Sequence, residues 1–259
     1  MTDEIQAATR VKQGLHSRPD VRQVVRADLR ALVFDVDGTL YELNRVRRSV
    51  IYRFVKANLL TPSQGLLTAR AILAYRKAQE TMRTILADWC DLREAQLQLA
   101  CATSGIEPKL MRSSVARWME QECLALLAPC LRDGVMELLC VPQKSGLKLA
   151  AYSDYPAQSK LYALGISRLF DLVVTAQDPA VQRLKPDPRG LEVVLQRLGV
   201  TKQEVIYIGD RPEIDGLAAL CAGIRCLIVG RRQGSSRIKG VIDIGSFWEL
   251  ISALRLELS

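Results

Sequence analysis

Two aspartates at the end of an apolar segment are placed for metal or phosphate chemistry. Residues 31–40 read A-L-V-F-D-V-D-G-T-L, so that four strand-forming residues precede Asp35 and Asp37. Burying one unpaired charge is costly, and burying two like charges together costs more. The pair is therefore expected to face a positive partner, most simply a divalent cation. Gly38 allows a sharp turn after the strand. The alternative interpretation is an ordinary strand followed by an Asp-Gly turn.

Other polar residues also follow apolar segments. Ser153 and Asp154 follow one such segment, Asp210 follows another, and Asp215 comes five residues later. Lys185 lies between them in a Leu-Lys-Pro-Asp-Pro loop. Each alone has a structural explanation, as a helix cap, a turn residue or a solvated lysine. Together they form a set of carboxylates, a hydroxyl and an ammonium, which suits Mg²⁺ and a phosphate group.

The elements that must position these residues alternate between strands and helices. Short, continuous apolar runs predict strands at 31–34, 147–152, 172–175, 205–208, 226–229 and 241–244. Helices are predicted between them at 134–140, 157–164, 189–198 and 217–222. Continuous runs favour a parallel sheet covered on both faces. The alternation predicts an α/β fold with a doubly wound, mainly parallel, Rossmann-like sheet. Ligands of such sheets bind beyond the carboxyl ends of the strands, where the polar residues above are expected to meet.

The stretch 44–129 has a different pattern. Its apolar residues recur at helical spacing, and breaks at 61–65 and 104–108 contain helix-stop and helix-start residues. We expect an all-helical cap of about four helices, inserted after the first strand. The predicted organisation is thus an N-terminal extension (1–28), an α/β core (29–43 and 130–259) and the cap (44–129). The extension, which contains His16, has no role that the sequence indicates.

Composition narrows the class of protein. The chain has 259 residues, of which 49% are hydrophobic and 25% charged, as in globular proteins. No apolar run approaches the ~20 residues that cross a membrane, and the acidic N-terminus does not resemble a secretory signal. The seven cysteines form no C-x-x-C pair and lie mostly in hydrophobic segments, which favours reduced, buried thiols and a cytoplasmic location. The net charge of +8 is compatible with anionic substrates, whereas the scattered basic residues disfavour nucleic acid.

The polar residues resemble the four motifs of the haloacid dehalogenase-like (HAD) superfamily of aspartate-nucleophile hydrolases. The matching pieces occur in the family's order over roughly 31–230. They are Asp35-Val-Asp37-Gly-Thr39-Leu, Ser153-Asp154, Lys185-Pro-Asp187-Pro, and Gly209-Asp210 followed by Asp215. The long helical gap before Ser153 resembles the phosphatase branch with a cap after the first motif, which includes phosphoglycolate phosphatases.

The resemblance implies a Mg²⁺-dependent phosphatase that hydrolyses a small-molecule phosphate monoester through an aspartyl-phosphate. Asp35 would be the nucleophile, and Asp37 the general acid and then the general base. Mg²⁺ would be bound by Asp35, the backbone carbonyl of Asp37 and Asp210. Asp215 would be a further metal ligand or an acid that supports the ligands without touching the metal, and Glu213 could replace or support Asp215.

The resemblance also implies how the phosphoryl group is held. Ser153 and the amide of Asp154 would bind it, and Lys185 would steady both the nucleophile and the transferring group. The second motif of the family more often continues with Asn, so Asp154 adds a negative charge, and we expect its side chain to point outward. The segment after Leu40 lacks the acidic-plus-hydroxyl pair of phosphoglycolate-type relatives, which leaves the substrate open.

Other functions are weaker interpretations of the same residues. A phosphosugar mutase of this family carries a histidine at the cap entry, and 41–49 has none. A dehalogenase would not need the acid Asp37. A non-catalytic binding protein could retain the fold, although the intact acidic set argues against it. Arg45, Arg47 and Arg48 at the cap entry could meet an anionic substrate, but consecutive helix positions face different directions and we expect at least two to be solvated.

Overall fold

A parallel sheet of six strands forms the centre of the described fold. The structure is a computed structural model and describes residues 21–85, 87–141, 146–230 and 238–257. The strands are β1 (Ala31–Phe34), β2 (Lys148–Ser153), β3 (Leu172–Thr175), β4 (Val205–Gly209), β5 (Arg225–Val229) and β6 (Val241–Ile244). Their order is β3-β2-β1-β4-β5-β6, and every neighbouring pair is parallel. The doubly wound parallel sheet predicted from the sequence is thereby confirmed.

The α-helices of the described residues lie on the two faces of the sheet and in the stretch 44–129 that is predicted as a cap. In chain order they are α1 (Leu43–Ala57), α2 (Pro62–Arg83), α3 (Leu92–Ser104), α4 (Pro108–Val115), α5 (Val135–Cys140), α6 (Gln158–Ala163), α7 (Arg189–Leu198), α8 (Leu217–Ala222) and α9 (Phe247–Glu257). Residues of α5, α6 and α9 pack in the apolar cluster on one face of the sheet, with Leu32 and Phe34 of β1. Residues of α7 and α8 pack on the other face, with Ala31 and Val33. The alternation of side chains along β1 thus supplies both cores.

The described residues of 44–129, the stretch predicted as a cap, are mostly helical, but the last part of this stretch is irregular. Helices α2 and α4 begin at prolines, and α3 begins at Asp91, whose carboxylate accepts a hydrogen bond from the amide of Glu94. Beyond α4 the chain forms a π-helical turn (Ala116–Gln121) and two short 3₁₀ turns (Leu124–Leu126 and Ala128–Cys130) instead of one continuous fourth helix. A separate apolar cluster joins α2, α3 and α4.

Three further features of the sequence concern the N-terminal segment, the cysteines and membrane spans. Residues 1–20, including His16, lie outside the described residues, whereas Val21, Val24 and Val25 are buried against the sheet core. All seven cysteines are free, but Cys90, Cys140 and Cys221 are exposed, so the expectation of burial fails for these three. No described helix is long and apolar enough to span a membrane.

Candidate active site

The carboxyl ends of β1 and β4 bring the first and last motifs together. Asp35 directly follows β1, and its amide donates to the carbonyl of Ile208 in β4 at 2.8 Å. Gly38 has a φ of +96°, and a Cβ there would lie 2.3 Å from Oδ2 of Asp210. Only glycine combines this backbone conformation with such a close approach. The sharp turn after β1 therefore sets the distance between the first motif and Asp210.

Lys185 is buried at the centre of the site. Its Nζ donates to Oδ1 of Asp35 at 2.5 Å, to Oδ1 of Asp215 at 2.7 Å and to the hydroxyl oxygen of Tyr207 at 3.1 Å. Burial disfavours the ammonium form, but the charges of Asp215 and Asp35 outweigh it and raise the pKa of Lys185 well above its usual value. Lys185 thus carries a fixed positive charge against the carboxylate that the sequence predicts as the nucleophile. The other oxygen of this carboxylate accepts from Thr39 at 2.9 Å.

Three carboxylates share the space beside Lys185. Asp35, Asp210 and Asp215 each offer an oxygen within 4.8 Å of the other two. Burial, with the charges of Asp215 and Asp210, raises the pKa of Asp35 well above its usual value, against the effect of Lys185. Burial and the charge of Asp215 raise the pKa of Asp210 to about 6. Among the described residues, Asp210 has no cation within salt-bridge distance. A hard-oxygen set with unbalanced negative charge fits Mg²⁺.

Asp215 differs from the other two acids. Its Oδ1 accepts from Lys185 and from Tyr207, and its Oδ2 accepts from the amides of Arg211 and Asp210. Burial opposes its ionisation, but Lys185 and these hydrogen bonds hold its pKa below the usual value. Both oxygens are therefore engaged by the protein, which fits an acid that positions Lys185 better than a metal ligand.

Asp37 has surroundings of its own, outside the acidic cluster. Both carboxylate oxygens accept from Nζ of Lys160 at 2.6 Å, and Oδ1 also accepts from the hydroxyl of Tyr41. Burial acts against ionisation, but Lys160 and Tyr41 hold the pKa of Asp37 below its usual value. The two aspartates after β1 thus lie in electrostatically different environments, Asp35 with a raised pKa and Asp37 with a lowered one.

The motif Ser153-Asp154 is held in place by Arg83 of α2 and by the amide of Lys185. Ser153 is buried and its hydroxyl accepts from the amide of Tyr155 at 3.2 Å. Asp154 is also buried, so the expected outward direction of its side chain is wrong. One of its oxygens accepts from the amide of Lys185 at 3.0 Å, and the other pairs with Arg83 of α2 at 2.7 Å. Because this arginine neutralises the extra carboxylate, an Asp is tolerated here without a free charge facing the phosphate.

Several predicted residues come together and others do not. The side chains of Asp35, Asp37, Ser153, Asp154, Lys185, Asp210 and Asp215 all line one cleft of about 830 Å³ between the sheet edge and the cap. Glu213 does not belong to the acidic cluster, because its side chain is mostly exposed and pairs with Arg211 at 3.5 Å. Of the three arginines at the cap entry, only Arg47 lines the cleft.

Sequence reasoning missed four residues that hold the predicted ones in place: Tyr41, Arg83, Lys160 and Tyr207. Lys160 lies in the first turn of α6, which begins just beyond the carboxyl end of β2. First turns of such helices face the ligand edge of a parallel sheet, so this position was the available signal. Tyr41 and Tyr207 lie within apolar segments and gave no signal, and Arg83 contacts Asp154 only through the folding of the cap over the sheet.

Comparison with known proteins gives the same family that the motifs resemble. The sequence profile of the haloacid dehalogenase-like hydrolase family matches residues 29–223. The chain belongs to this family. A glyceraldehyde 3-phosphate phosphatase from Methanopyrus kandleri is 30% identical to this haloacid dehalogenase-like hydrolase over 203 residues, covering 76% of this chain and 82% of that protein. A phosphoglycolate phosphatase from Pseudomonas putida is 28% identical over 201 residues, covering 76% and 68%.

Solved structures establish the fold of this hydrolase independently. The HAD-hydrolase YfnB from Bacillus subtilis, bound to magnesium, has a TM-score of 0.63 at 17% identity and covers 89% of this chain and 100% of that chain. A 2-haloacid dehalogenase from Pseudomonas syringae has a TM-score of 0.60 at 16% identity, covering 88% and 99%. The chain is accordingly a hydrolase by family, and the curated relatives named above are phosphatases, consistent with a phosphoric monoester hydrolase.

Proposed function

We propose that this hydrolase is a Mg²⁺-dependent phosphatase that hydrolyses a small-molecule phosphate monoester through a phosphorylated Asp35. The observation that carries the proposal is the unequal environment of the two aspartates after β1. Asp35 lies against Lys185 and the acidic cluster, whereas Asp37 lies against Lys160 and Tyr41. Two carboxylates with separated surroundings can perform two different jobs. Without metal the pKa of Asp35 is raised and that of Asp37 is lowered. The charge of bound Mg²⁺ would lower the pKa of Asp35 and favour the ionised form that a nucleophile needs.

In the first half of the proposed reaction, a carboxylate oxygen of Asp35 bonds to phosphorus as the bond to the leaving oxygen breaks. Asp37 gives its proton to that oxygen, so the product leaves as an alcohol. The substrate's own phosphate charge, placed beside Asp37, favours the protonated form that this step needs. In the second half, Asp37 takes a proton from water, the water oxygen bonds to phosphorus, and inorganic phosphate leaves with Asp35 restored.

The remaining residues hold the reacting groups. Lys185 neutralises the nucleophile and the transferring phosphoryl group, and Ser153 with the amide of Asp154 binds the phosphoryl oxygens. Asp35, Asp210 and the backbone carbonyl of Asp37 would hold Mg²⁺, which neutralises charge on the carboxylates and the phosphoryl group when bound. We place Asp215 behind these ligands, since both of its oxygens are occupied by hydrogen bonds within the protein.

The relatives support the substrate class. Their names describe phosphatases of glyceraldehyde 3-phosphate, phosphoglycolate and, in Streptomyces hygroscopicus, validoxylamine A 7'-phosphate. We carry over to this chain only the shared feature, a phosphate monoester on a small molecule. We further propose that residues 44–129 act as a substrate-enclosing cap on the α/β core (29–43 and 130–259), and that the protein is cytoplasmic, which agrees with its free cysteines.

The proposal is tested by hydrolysis of 4-nitrophenyl phosphate. We expect wild-type activity that is abolished by a chelator and restored by Mg²⁺, and that falls to background in Asp35→Asn. Asp28→Asn is a matched control, because Asp28 precedes the same strand but its side chain is about half exposed at the opposite edge. Asp35→Asn with undiminished activity would exclude the nucleophile assignment.

A further inference from the structure

Two arginines of the cap line the cleft without an acidic partner. Seven basic residues line it, and five of them pair with acids among the described residues: Lys185 with Asp35 and Asp215, Lys160 with Asp37, Arg83 with Asp154 and Glu80, Arg93 with Glu120, and Arg211 with Glu80 and Glu213. Arg47 and Arg76 form no ion pair or side-chain hydrogen bond within the described part of the chain. Their positive charge is therefore available to a ligand.

These two arginines come from different helices and lie near each other. Arg47 is on α1 and Arg76 on α2, on the helix faces that line the cleft. Partial burial lowers the pKa of Arg47, and the positive charge of Arg76 lowers it further. Both arginines are nevertheless exposed, so solvent weakens their repulsion, but no acid among the described residues offsets it. Two like charges left without an acid at a cleft are typical of a site that binds an anion.

The distance of Arg76 from the floor of the cleft separates it from the phosphate site. Arg83 of α2 contacts Asp154 and the carbonyl of Lys185 at the floor. Arg76 precedes it by seven residues, or about 10 Å along the helix axis. Beyond Arg47 and Arg76 the cleft lining becomes apolar, with Val50, Ile51, Phe54, Ile72 and Leu73. Arg76 thus lies between the polar floor and a mostly apolar part of the cleft, and Arg47 of α1 lines the same space within electrostatic reach of Asp210.

We propose that Arg47 and Arg76 bind a second anionic group, located on the leaving group of a substrate whose phosphate lies at Asp35. The inference rests on the proposed phosphatase function and narrows it to phosphate monoesters that carry a carboxylate or a further phosphate. Guanidinium groups bind either anion by charge-assisted hydrogen bonds, so both chemistries fit this pair. The cap thereby selects substrates by charge at a distance from phosphorus.

The experiment uses substrates that differ in charge but hardly in shape. 4-Carboxyphenyl phosphate carries the second anion, 4-carbamoylphenyl phosphate is its neutral counterpart, and 1,4-phenylene bisphosphate replaces the carboxylate with a phosphate. kcat/KM is measured for wild type, Arg47→Met, Arg76→Met and the double variant. Arg48→Met and Lys77→Met are matched controls, since each is an exposed neighbour on the same helix that does not line the cleft.

We expect Arg47→Met and Arg76→Met each to lose about 10- to 100-fold in kcat/KM on an anion-bearing substrate, as for loss of a hydrogen bond to a charged group, and less than about 3-fold on the carbamoyl substrate. The controls should match wild type. Comparing kcat/KM of the wild type on the bisphosphate and on the carboxyl substrate shows which of the two anions it prefers. The single variants should unfold at the same or a higher temperature than wild type, because a repulsion has been removed, whereas a structural role would lower it.

Two outcomes would overturn the inference. An unchanged preference between the carboxyl and carbamoyl substrates in the double variant would mean that the arginines do not meet a second anion. Equal losses on both substrates would assign them to the reacting phosphate. Failure of the phosphatase proposal is separate, since the wild type would then hydrolyse none of the three compounds. Titration calorimetry with 4-carboxyphenyl and 4-carbamoylphenyl phosphate still tests the anion site in that case, with at least about 10-fold weaker binding of the former expected in the double variant.

Discussion

Outside the acidic cluster, the ion pair between Lys160 and Asp37 is the contact whose loss we expect to lower the free energy of unfolding most. Lys160 lies 2.6 Å from both oxygens of Asp37, and the two side chains are only 10% and 18% exposed. At this distance and an effective dielectric constant near 20, the attraction is about 6 kcal/mol, from which desolvation of both groups must be subtracted. Truncating one partner of a buried pair costs about 3–5 kcal/mol, and the residual exposure reduces this to about 2–4 kcal/mol for Lys160→Met.

The assays are thermal and urea unfolding of wild type, Lys160→Met, Asp37→Asn and the double variant, without Mg²⁺. For a chain of this size, we expect Lys160→Met to lower the unfolding temperature by about 5–15 °C. The double-mutant cycle should give a coupling free energy of about 2 kcal/mol, because each single variant leaves the partner buried and unpaired. Lys77→Met, on an exposed face of α2, should change stability by less than about 0.5 kcal/mol. A coupling below about 0.5 kcal/mol would refute the reasoning.

Two further predictions concern packing and metal binding. Gly190→Ala should destabilise the protein by about 3 kcal/mol in urea unfolding, since its Cβ would lie 2.0 Å from the ring of the fully buried Tyr152. Gln196→Ala on the exposed face of the same helix should be near neutral, and equal stabilities of both variants would contradict the packing argument. Because the pKa of Asp210 is raised to about 6, the metal-free fold retains a proton that the unfolded chain has released, so its stability falls as the pH rises through about 6. Calorimetry should show Mg²⁺ affinity falling up to about tenfold per pH unit below about 6, and a pH-independent affinity would contradict the role of Asp210 as a ligand.

The parts predictable from the sequence are those with a local signal. Short, continuous apolar runs predicted the parallel strands, and a carboxylate directly after such a run predicted Asp35 and Asp210 at the ligand edge. The Asp-Gly turn predicted the sharp bend at Gly38, although the contact of Gly38 with Asp210 depends on the register between β1 and β4. These features follow from strand pattern and topology, which the sequence encodes directly.

The parts that could not be predicted depend on contacts between distant segments. The direction of the Asp154 side chain is set by Arg83 of the cap, and nothing near Asp154 in the sequence indicates this partner. Spacing alone could not separate Asp215 from Glu213, because their difference is one of burial. The first-turn position of Lys160 indicates the ligand edge of the sheet, but its contact with Asp37 depends on how the segments after β1 and β2 come together. The irregular end of the cap has no pattern that distinguishes it from a continuous helix.

The central claim is that Asp35 is phosphorylated during turnover, and it can be tested by trapping that species. Asp37→Asn keeps the nucleophile but removes the base that activates water, so it should accumulate the covalent form. After mixing with Mg²⁺ and 4-nitrophenyl phosphate and quenching in acid, intact-mass spectrometry should find one added phosphoryl group. Peptide mapping should place that group on Asp35, and hydroxylamine should remove it, as expected of an acyl phosphate. Rapid 4-nitrophenol release by wild type with no phosphorylated Asp35 in either protein would contradict the account.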